Sequence, residues 1–150
     1  GRGGVIAAAQ KREGDGATPA GSYPVRSIWY RKDRVQLPRV NFPVHEITKD
    51  DGWCDAPQHP DYNRHITLPF AASHENLWRD DHRYDVIVVL GHNDDPPVAQ
   101  MGSCIFLHIA APEYAPTEGC VGLSENDMLE LLPLLSANEI MQINSERMSR

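Results

Sequence analysis

Two residues that can do chemistry together, His108 and Cys120, lie twelve positions apart in the second half of this 150-residue chain. Cys120 follows Gly119 in the stretch Thr-Glu-Gly-Cys-Val-Gly, and His108 lies near the end of an apolar run. A free thiol is only a few per cent ionised at neutral pH, so a nucleophilic cysteine needs a base beside it. A nearby imidazole is expected to lower the thiol pKa, so the pair predicts nucleophilic cysteine chemistry.

The same residues also have a structural explanation. Cysteine is among the most buried residue types, and a histidine on a strand is commonly a hydrogen-bonded core group. Gly119 favours the catalytic alternative, because glycine allows a turn and a close backbone approach that a Cβ excludes. A turn of this kind can direct successive N–H groups at one point and form an oxyanion hole. Spacing alone leaves both alternatives open.

The elements that position the pair are predicted to be mainly strands. Val5–Gln10 and Ser22–Tyr30 flank a loop rich in glycine, proline and aspartate, which predicts a hairpin with a long connection. Tyr84–Gly91 and Gly102–Ala110 are apolar runs typical of buried strands, and the second carries His108. Residues 38–70 show little periodicity, so an irregular excursion of functional or lid type is expected there, with one short strand at Val44–Ile47.

Helices are predicted at two places. Ser73 is expected to cap a short helix that runs to Arg79. Ser124 begins a capping-box variant that opens an amphipathic helix, with core positions at Met128, Leu131, Leu132 and Leu135. Pro133 is expected to end or kink that helix near Leu132. With a last strand at Asn138–Ile143, the sequence predicts one mostly-β domain over residues 1–150, with one main helix (α+β).

Composition excludes several classes of function. Fourteen basic and twenty-one acidic residues give a net charge of −7, which argues against a general nucleic-acid binder and against a polybasic membrane anchor. The longest apolar runs have five residues, as in Val5–Ala9 and Val86–Leu90, whereas a membrane-spanning helix needs about 20. The sequence begins at Gly1 without a methionine, so we expect a processed or trimmed chain.

Metal and disulfide chemistry are not predicted. The seven histidines show neither H-E-x-x-H nor C-x-x-C spacing, so no metal and no cofactor is expected. The three cysteines are an odd number, which leaves at least one free thiol. Cys54 and Cys104 are expected to be buried free thiols, with pairing of the two as the alternative.

Two motifs in order resemble the L,D-transpeptidase (YkuD-type) family. The stretch Thr-Glu-Gly-Cys-Val-Gly after a strand ending in Phe-Leu-His is similar to the family's catalytic signature: a histidine, a loop, then Ser/Thr-His-Gly-Cys and an apolar residue. The earlier stretch Gly-Asp-Gly-Ala-Thr-Pro-Ala-Gly, Gly14 to Gly21, resembles the Thr-Pro-x-Gly hairpin of that family. The resemblance extends over most of the chain, roughly Val5 to Ile143, and implies a small mixed β-sandwich.

The resemblance implies roles for five site residues. Cys120 would be the nucleophile, His108 its base, and the backbone carbonyl of Ile109 would orient the imidazole. Backbone N–H groups around Glu118, Gly119 and Cys120 would form the oxyanion hole. The implied reaction is acyl transfer between peptidoglycan stem peptides, in the periplasm or elsewhere in the cell envelope, and carbapenem-type inhibitors are expected to acylate the same thiol.

This chain departs from the family signature at two positions and in one loop. Glu118 replaces the histidine of the motif, Gly122 stands where many members have arginine, and the loop from His108 to Cys120 is a few residues shorter than is common. The resemblance implies a cross-link between the third residues of two stems, and the altered pocket would also suit a variant that joins the first residue of one stem to the third of another. Six residues are expected to line the substrate pocket: His92, Asn93, Tyr114, Thr117, Gly122 and Arg83. Arg79 and Tyr84 are further candidates, with plain surface or salt-bridge roles as the alternative.

Three other functions stay open on the sequence. A carboxypeptidase that hydrolyses the same thioester shares every motif. An inactive peptidoglycan-binding module and a metal-dependent hydrolase are the remaining alternatives.

Overall fold

The structure is a computed structural model that describes residues 1–145, so the last five residues of the predicted domain lie outside the described part. Eleven strands and one α-helix are found there, together with 3-10 helices at Ala8–Gln10, Pro112–Tyr114 and Leu132–Leu134. The strands are β1 (Val5–Ile6), β2 (Thr18–Pro19), β3 (Gly21–Tyr30), β4 (Val44–Glu46), β5 (Asp51–Cys54), β6 (His65–Thr67), β7 (His74–Asn76), β8 (Val86–Leu90), β9 (Phe106–Ile109), β10 (Val121–Leu123) and β11 (Ile140–Ile143). The helix α1 spans Glu125–Leu131.

A six-stranded mixed sheet forms the centre of the molecule. Its strand order is β10-β9-β8-β3-β11, and β4 pairs in parallel with the second half of β3. β8 is antiparallel to both β3 and β9, whereas β10 is parallel to β9. The register places Gly122 beside His108 across the β9–β10 pair, so the two strands that flank the predicted site are direct neighbours.

The two faces of this sheet carry separate hydrophobic clusters because side chains alternate along a strand. Val86 and Val88 of β8 face the side covered by α1 and its buried Met128. Ile87 and Val89 face the opposite side, where they pack with Trp53 of a second, three-stranded sheet of order β6-β5-β7. The mostly-β fold with one α-helix, predicted as a small mixed β-sandwich, is confirmed in the described part of the chain.

The capped helix after Cys120 is confirmed. Ser124 accepts a hydrogen bond from the backbone N–H of Asp127, which satisfies one of the free donors of the first turn. The α-helix ends at Leu131, and a 3-10 turn follows that contains Pro133, which has no N–H to continue the helical pattern. In residues 1–145 no helix combines the length and the apolar character that crossing a bilayer requires.

The predicted amino-terminal hairpin is wrong. β1 pairs in parallel with β2, while β3 pairs with β8 and β11. The reason lies in the loop between β1 and β2, where Asp15 accepts hydrogen bonds from the backbone N–H groups of Arg12 and Ala17 and from Lys11 Nζ. These local bonds turn the chain so that Thr18 returns alongside Val5.

The helix predicted to start at Ser73 is also wrong, because His74–Asn76 forms β7 and pairs with β5. Ser73 donates its hydroxyl to Asp55 instead of capping a helix, and pairing with a neighbouring strand overrides the local pattern. The segment 38–70 contains two strands, β5 and β6, beyond the predicted one. The strand that carries His108 is shorter than predicted and begins at Phe106, because Gly102 and Cys104 have φ values of 108° and 56°.

Candidate active site

His108 and Cys120 line one cavity of about 310 Å³. His108 is on β9, and Cys120 immediately precedes β10. The register places Gly122 beside His108, and Cys120 comes two residues before Gly122. Because side chains alternate along a strand, the side chains of Cys120 and His108 lie on the same face of the sheet. The other lining residues are mostly polar or charged: Lys11, Glu13, Gly14, Asp55, Glu75, Arg79, Arg83, Tyr84, Ser103, Cys104, Thr117 and Glu118.

His108 has a defined tautomer. Its Nδ1 lies 2.7 Å from the carbonyl oxygen of Ile109. A carbonyl only accepts, so Nδ1 carries the proton and donates it, and Nε2 remains able to take one. Burial lowers the pKa of His108 below its usual value of 6.5, and the nearby positive charges of Arg83 and Arg79 act in the same direction. The imidazole is therefore a neutral base at pH 7.

The Cys120 thiol is neutral as well, which corrects the expectation of a lowered thiol pKa. Cys120 is half-buried, and loss of contact with water raises its pKa to about 12. A hydrogen bond from the Phe106 backbone and the charge of Lys11 lower the pKa, but desolvation outweighs them. The sulfur donates its proton to the carbonyl oxygen of Cys104 at 3.0 Å. The resting pair is thiol and imidazole rather than thiolate and imidazolium. All three cysteines are free thiols, which confirms the prediction for Cys54 and Cys104.

The turn before Cys120 depends on glycine. Gly119 has a φ of +130°, and a Cβ at this position would lie 2.7 Å from the carbonyl oxygen of Ala17. The hydroxyl of Thr117 donates to the carbonyl of Cys120 at 2.6 Å and closes the turn on its other side. Thr18 donates its hydroxyl to the carbonyl of Gly119 at 2.8 Å, so the Thr-Pro-Ala-Gly motif contacts the cysteine motif directly.

Two arginines, Arg79 and Arg83, are among the lining residues of the cavity. Arg79 binds Asp81 through two nitrogens, at 2.9 and 2.6 Å, and Arg83 Nε lies 3.7 Å from the same carboxylate. The hydrogen bond from Arg79 is the main reason why the pKa of Asp81 falls to about 2.

Glu118 extends into solvent, where it pairs with Arg2 at 2.7 Å. A second cavity of about 460 Å³ shares Thr117 and Cys120 with the first and is also lined by Tyr114 and Gly122. The predicted residues at positions 114, 117 and 122 therefore come together there.

His92 and Asn93 are not among the lining residues of either cavity. His92 is buried and packs edge-on against Tyr23, with 5.3 Å between the ring centroids. The Asn93 amide donates to the carbonyls of Val98 and Gly102 and so holds its own loop.

Several cavity residues were not found by sequence reasoning. Glu75 lay in a segment interpreted as helix, and Lys11, Glu13 and Asp55 reach the cavity from distant segments that no spacing rule connects. The role of Thr18 was predictable, because Thr18 belongs to the Thr-Pro-Ala-Gly stretch that resembles the family motif. Among residues 1–145, no group of three or more His, Cys, Asp and Glu side chains is arranged to hold a metal ion.

The fold and site together define a β-rich protein with a thiol and a neutral imidazole in one charged cavity. The chain belongs to the L,D-transpeptidase catalytic domain family, YkuD, whose match covers residues 1–143. Comparisons with curated proteins and with solved structures give no match. Members of the family are enzymes of the L,D-transpeptidase type that act on peptidoglycan stem peptides, and they are usually found at the cell envelope.

Proposed function

We propose that this protein is a peptidoglycan L,D-transpeptidase in which Cys120 is the nucleophile and His108 the base. One observation carries the proposal: the thiol and an imidazole with an available Nε2 line the same cavity. The proposal treats residues 1–150 as one catalytic domain that works outside the cytoplasmic membrane.

The first step forms a thioester. His108 Nε2 takes the proton of the Cys120 thiol while the sulfur attacks the carbonyl carbon at the L-centre of a stem-peptide residue. The C–N bond to the next residue then breaks, and the imidazolium returns the proton to the leaving amine. Backbone N–H groups of Glu118, Gly119 and Cys120 are the proposed donors to the oxyanion.

The second step transfers the acyl group. An amine of another stem attacks the thioester carbonyl and gives its proton to His108 Nε2, the C–S bond breaks, and the proton returns to the Cys120 sulfur. The acceptor amine belongs to the third residue of a second stem. The donor carbonyl belongs to the third residue of a stem, or to the first residue in the variant that the changes at Glu118 and Gly122 would suit. Arg83 is proposed to bind a stem carboxylate, since guanidinium matches a planar carboxylate. Tyr114, Thr117 and Gly122 are proposed to line the path of a stem peptide.

Incubation with purified sacculi, followed by mass identification of the muropeptides, tests the reaction. We expect cross-linked dimers from the wild-type protein and none from Cys120→Ala. Cys54→Ala is the matched control, because it removes a buried thiol that is not among the lining residues of the cavity. A carbapenem is expected to add one inhibitor equivalent to the mass of the wild type and of Cys54→Ala.

The products also separate the alternatives. Shortened monomers without dimers would identify a carboxypeptidase, and binding to sacculi without any product would identify a binding module. Dimers formed by Cys120→Ala at the wild-type rate would remove Cys120 from the mechanism.

A further inference from the structure

The imidazole of His108 has a second neighbour besides the Ile109 carbonyl. The ring of Tyr84 packs edge-on against it, with 5.5 Å between centroids and an angle of 68° between the planes. Tyr84 is buried and makes a similar contact with Phe106, at 6.0 Å and 72°. Edge-to-face contacts of this kind hold two rings in a preferred mutual orientation.

Tyr84 is itself held from the second sheet. Its hydroxyl donates to a carboxylate oxygen of Glu75, which is on β7. On another side, the guanidinium of Arg79 lies 5.3 Å from the centroid of the Tyr84 ring. A chain of contacts thus runs from the three-stranded sheet through Glu75 and Tyr84 to His108 on the central sheet.

The position of Glu75 also matters electrostatically. Glu75 lines the same cavity as Cys120 and His108. Burial raises the pKa of Glu75, the hydrogen bond from Tyr84 lowers it, and the negative charge of Glu75 raises the pKa of Cys120. The negative charge of Glu75 therefore opposes ionisation of the Cys120 thiol. The contact of Glu75 with Tyr84 is the feature that can support the reaction.

We propose that Tyr84 and Glu75 are positioning residues for the base: Tyr84 fixes the plane of the His108 imidazole, and Glu75 fixes Tyr84. The hydrogen bond from Nδ1 to Ile109 leaves the ring free to tilt about that bond. The edge contact with Tyr84 removes this freedom and keeps Nε2 in the cavity. The inference rests on the proposed function, since it assigns the pair to a reaction in which His108 is the base.

Two substitutions at each position separate ring, hydroxyl and charge. Tyr84→Phe keeps the ring on His108 and removes the bond to Glu75, whereas Tyr84→Leu removes the ring as well. Glu75→Gln keeps an acceptor for the tyrosine hydroxyl, and Glu75→Ala does not. Tyr23 provides the control, because it is also buried, packs edge-on against a histidine and donates its hydroxyl to a backbone carbonyl, that of Ala20.

The measurements are the rate at which a carbapenem acylates Cys120, followed by intact mass, and the 15N NMR signals of the His108 ring. Aromatic edge contacts are worth enough to change a rate by about two- to tenfold, so we expect a loss of that size for Tyr84→Leu. Tyr84→Phe and Glu75→Ala should lose less, and Glu75→Gln should keep at least the wild-type rate. The NMR signals should keep the Nδ1–H tautomer in Tyr84→Leu but broaden, because the ring tilts about its bond to Ile109, and they should stay unchanged in Tyr23→Leu.

The inference fails if Tyr84→Leu acylates at the wild-type rate and its His108 signals are as sharp as those of the wild type. It also fails if Tyr23→Leu slows acylation as much, because general destabilisation would then explain both. Should the wild type resist the carbapenem, the line widths of the His108 signals decide. Transfer activity in Cys120→Ala would overturn the proposed function and leave the NMR result standing as a separate finding.

Discussion

The Cys120 thiol and the His108 imidazole are both neutral near pH 7 because the same cavity disfavours charge on each of them. Burial raises the pKa of the acid and lowers the pKa of the base, so the ion pair does not form spontaneously in the free protein. In the proposed mechanism, proton transfer must therefore accompany attack on the substrate carbonyl. This arrangement protects the sulfur, since the neutral thiol reacts slowly with stray electrophiles.

The raised thiol pKa predicts a loss of stability in alkali. In the unfolded chain Cys120 ionises near its usual value of 9.0, and in the folded protein only near 12. The contribution of the neutral Cys120 thiol to the free energy of unfolding is therefore fully present below pH 9, and it is lost as the pH rises from 9 towards 12. Between pH 8 and pH 10, we expect the wild type to lose about 1 kcal/mol more unfolding free energy than Cys120→Ala.

Urea unfolding at both pH values measures that difference. Ionisation of the other cysteines and of the tyrosines contributes to both proteins and cancels in the comparison. Parallel losses in the two proteins would show that the folded protein ionises Cys120 as readily as the unfolded chain does.

At the scale of elements, the turn before β10 positions Cys120, the proposed nucleophile. Gly119 has no room for a Cβ, because the Ala17 carbonyl lies 2.7 Å from where it would be. Gly119→Ala must therefore displace the turn, and we expect it to cost roughly 1–3 kcal/mol of stability. A shift of about 1 Å at a reacting atom costs about 100-fold in rate, so acylation should fall by that order.

Gly4→Ala is the control for Gly119→Ala. Gly4 also has a positive φ, +73°, but no atom lies within 4 Å of the place that an added Cβ would occupy. This variant should lose stability through backbone strain alone and keep the wild-type acylation rate. Equal acylation rates in Gly119→Ala and the wild type would contradict the role given to the turn.

The elements predicted correctly are those whose signal is local. The apolar run of β8 and the capped start of α1 are visible in the residues that form them. β7 was missed because Glu75 and its neighbours form a strand only where β5 offers a partner. The parallel pairing of β1 with β2 likewise depends on the side-chain bonds of Asp15, which no periodicity shows.

The same distinction applies to the site. Cys120 and His108 are found from a motif and its order along the chain, and Gly119 follows from the turn that a nucleophile needs. The contact of Tyr84 with His108 and the bond from Tyr84 to Glu75 join three strands or their ends, so no spacing in the sequence announces them. Nor does residue type reveal that burial is the main influence on the thiol pKa.

At the scale of the whole molecule, one buried amide joins the two sheets behind the site. Asn63 donates to the carbonyls of His92 and Asn93 and accepts from Trp53 Nε1 and from the backbone N–H of Cys104. Cys104 in turn holds the Cys120 thiol through its carbonyl. The second sheet therefore contributes to the position of Cys120 through Asn63.

Asn63→Asp tests this junction. The carboxylate still accepts from Trp53 and Cys104, but it leaves two carbonyls without donors. We expect a loss of at least about 2 kcal/mol at pH 7, measured by urea unfolding, because each unsatisfied buried group costs about 1–3 kcal/mol. Asn93→Asp, which loses two similar bonds at a more exposed position, should lose less. If Asn63→Asp lost no more unfolding free energy than Asn93→Asp, the hydrogen bonds of Asn63 would not be important for folding.

The bond from Thr18 to Gly119 spans 101 positions of sequence. During synthesis this bond cannot form until residue 119 has left the ribosome. The first strands must then pack beside the turn that precedes Cys120. Contacts of such separation form late in folding, because a long loop must close before they are made. The surroundings of the thiol therefore require both halves of the domain, so a fragment that begins after Thr18 would carry the cysteine without the bond that holds its turn.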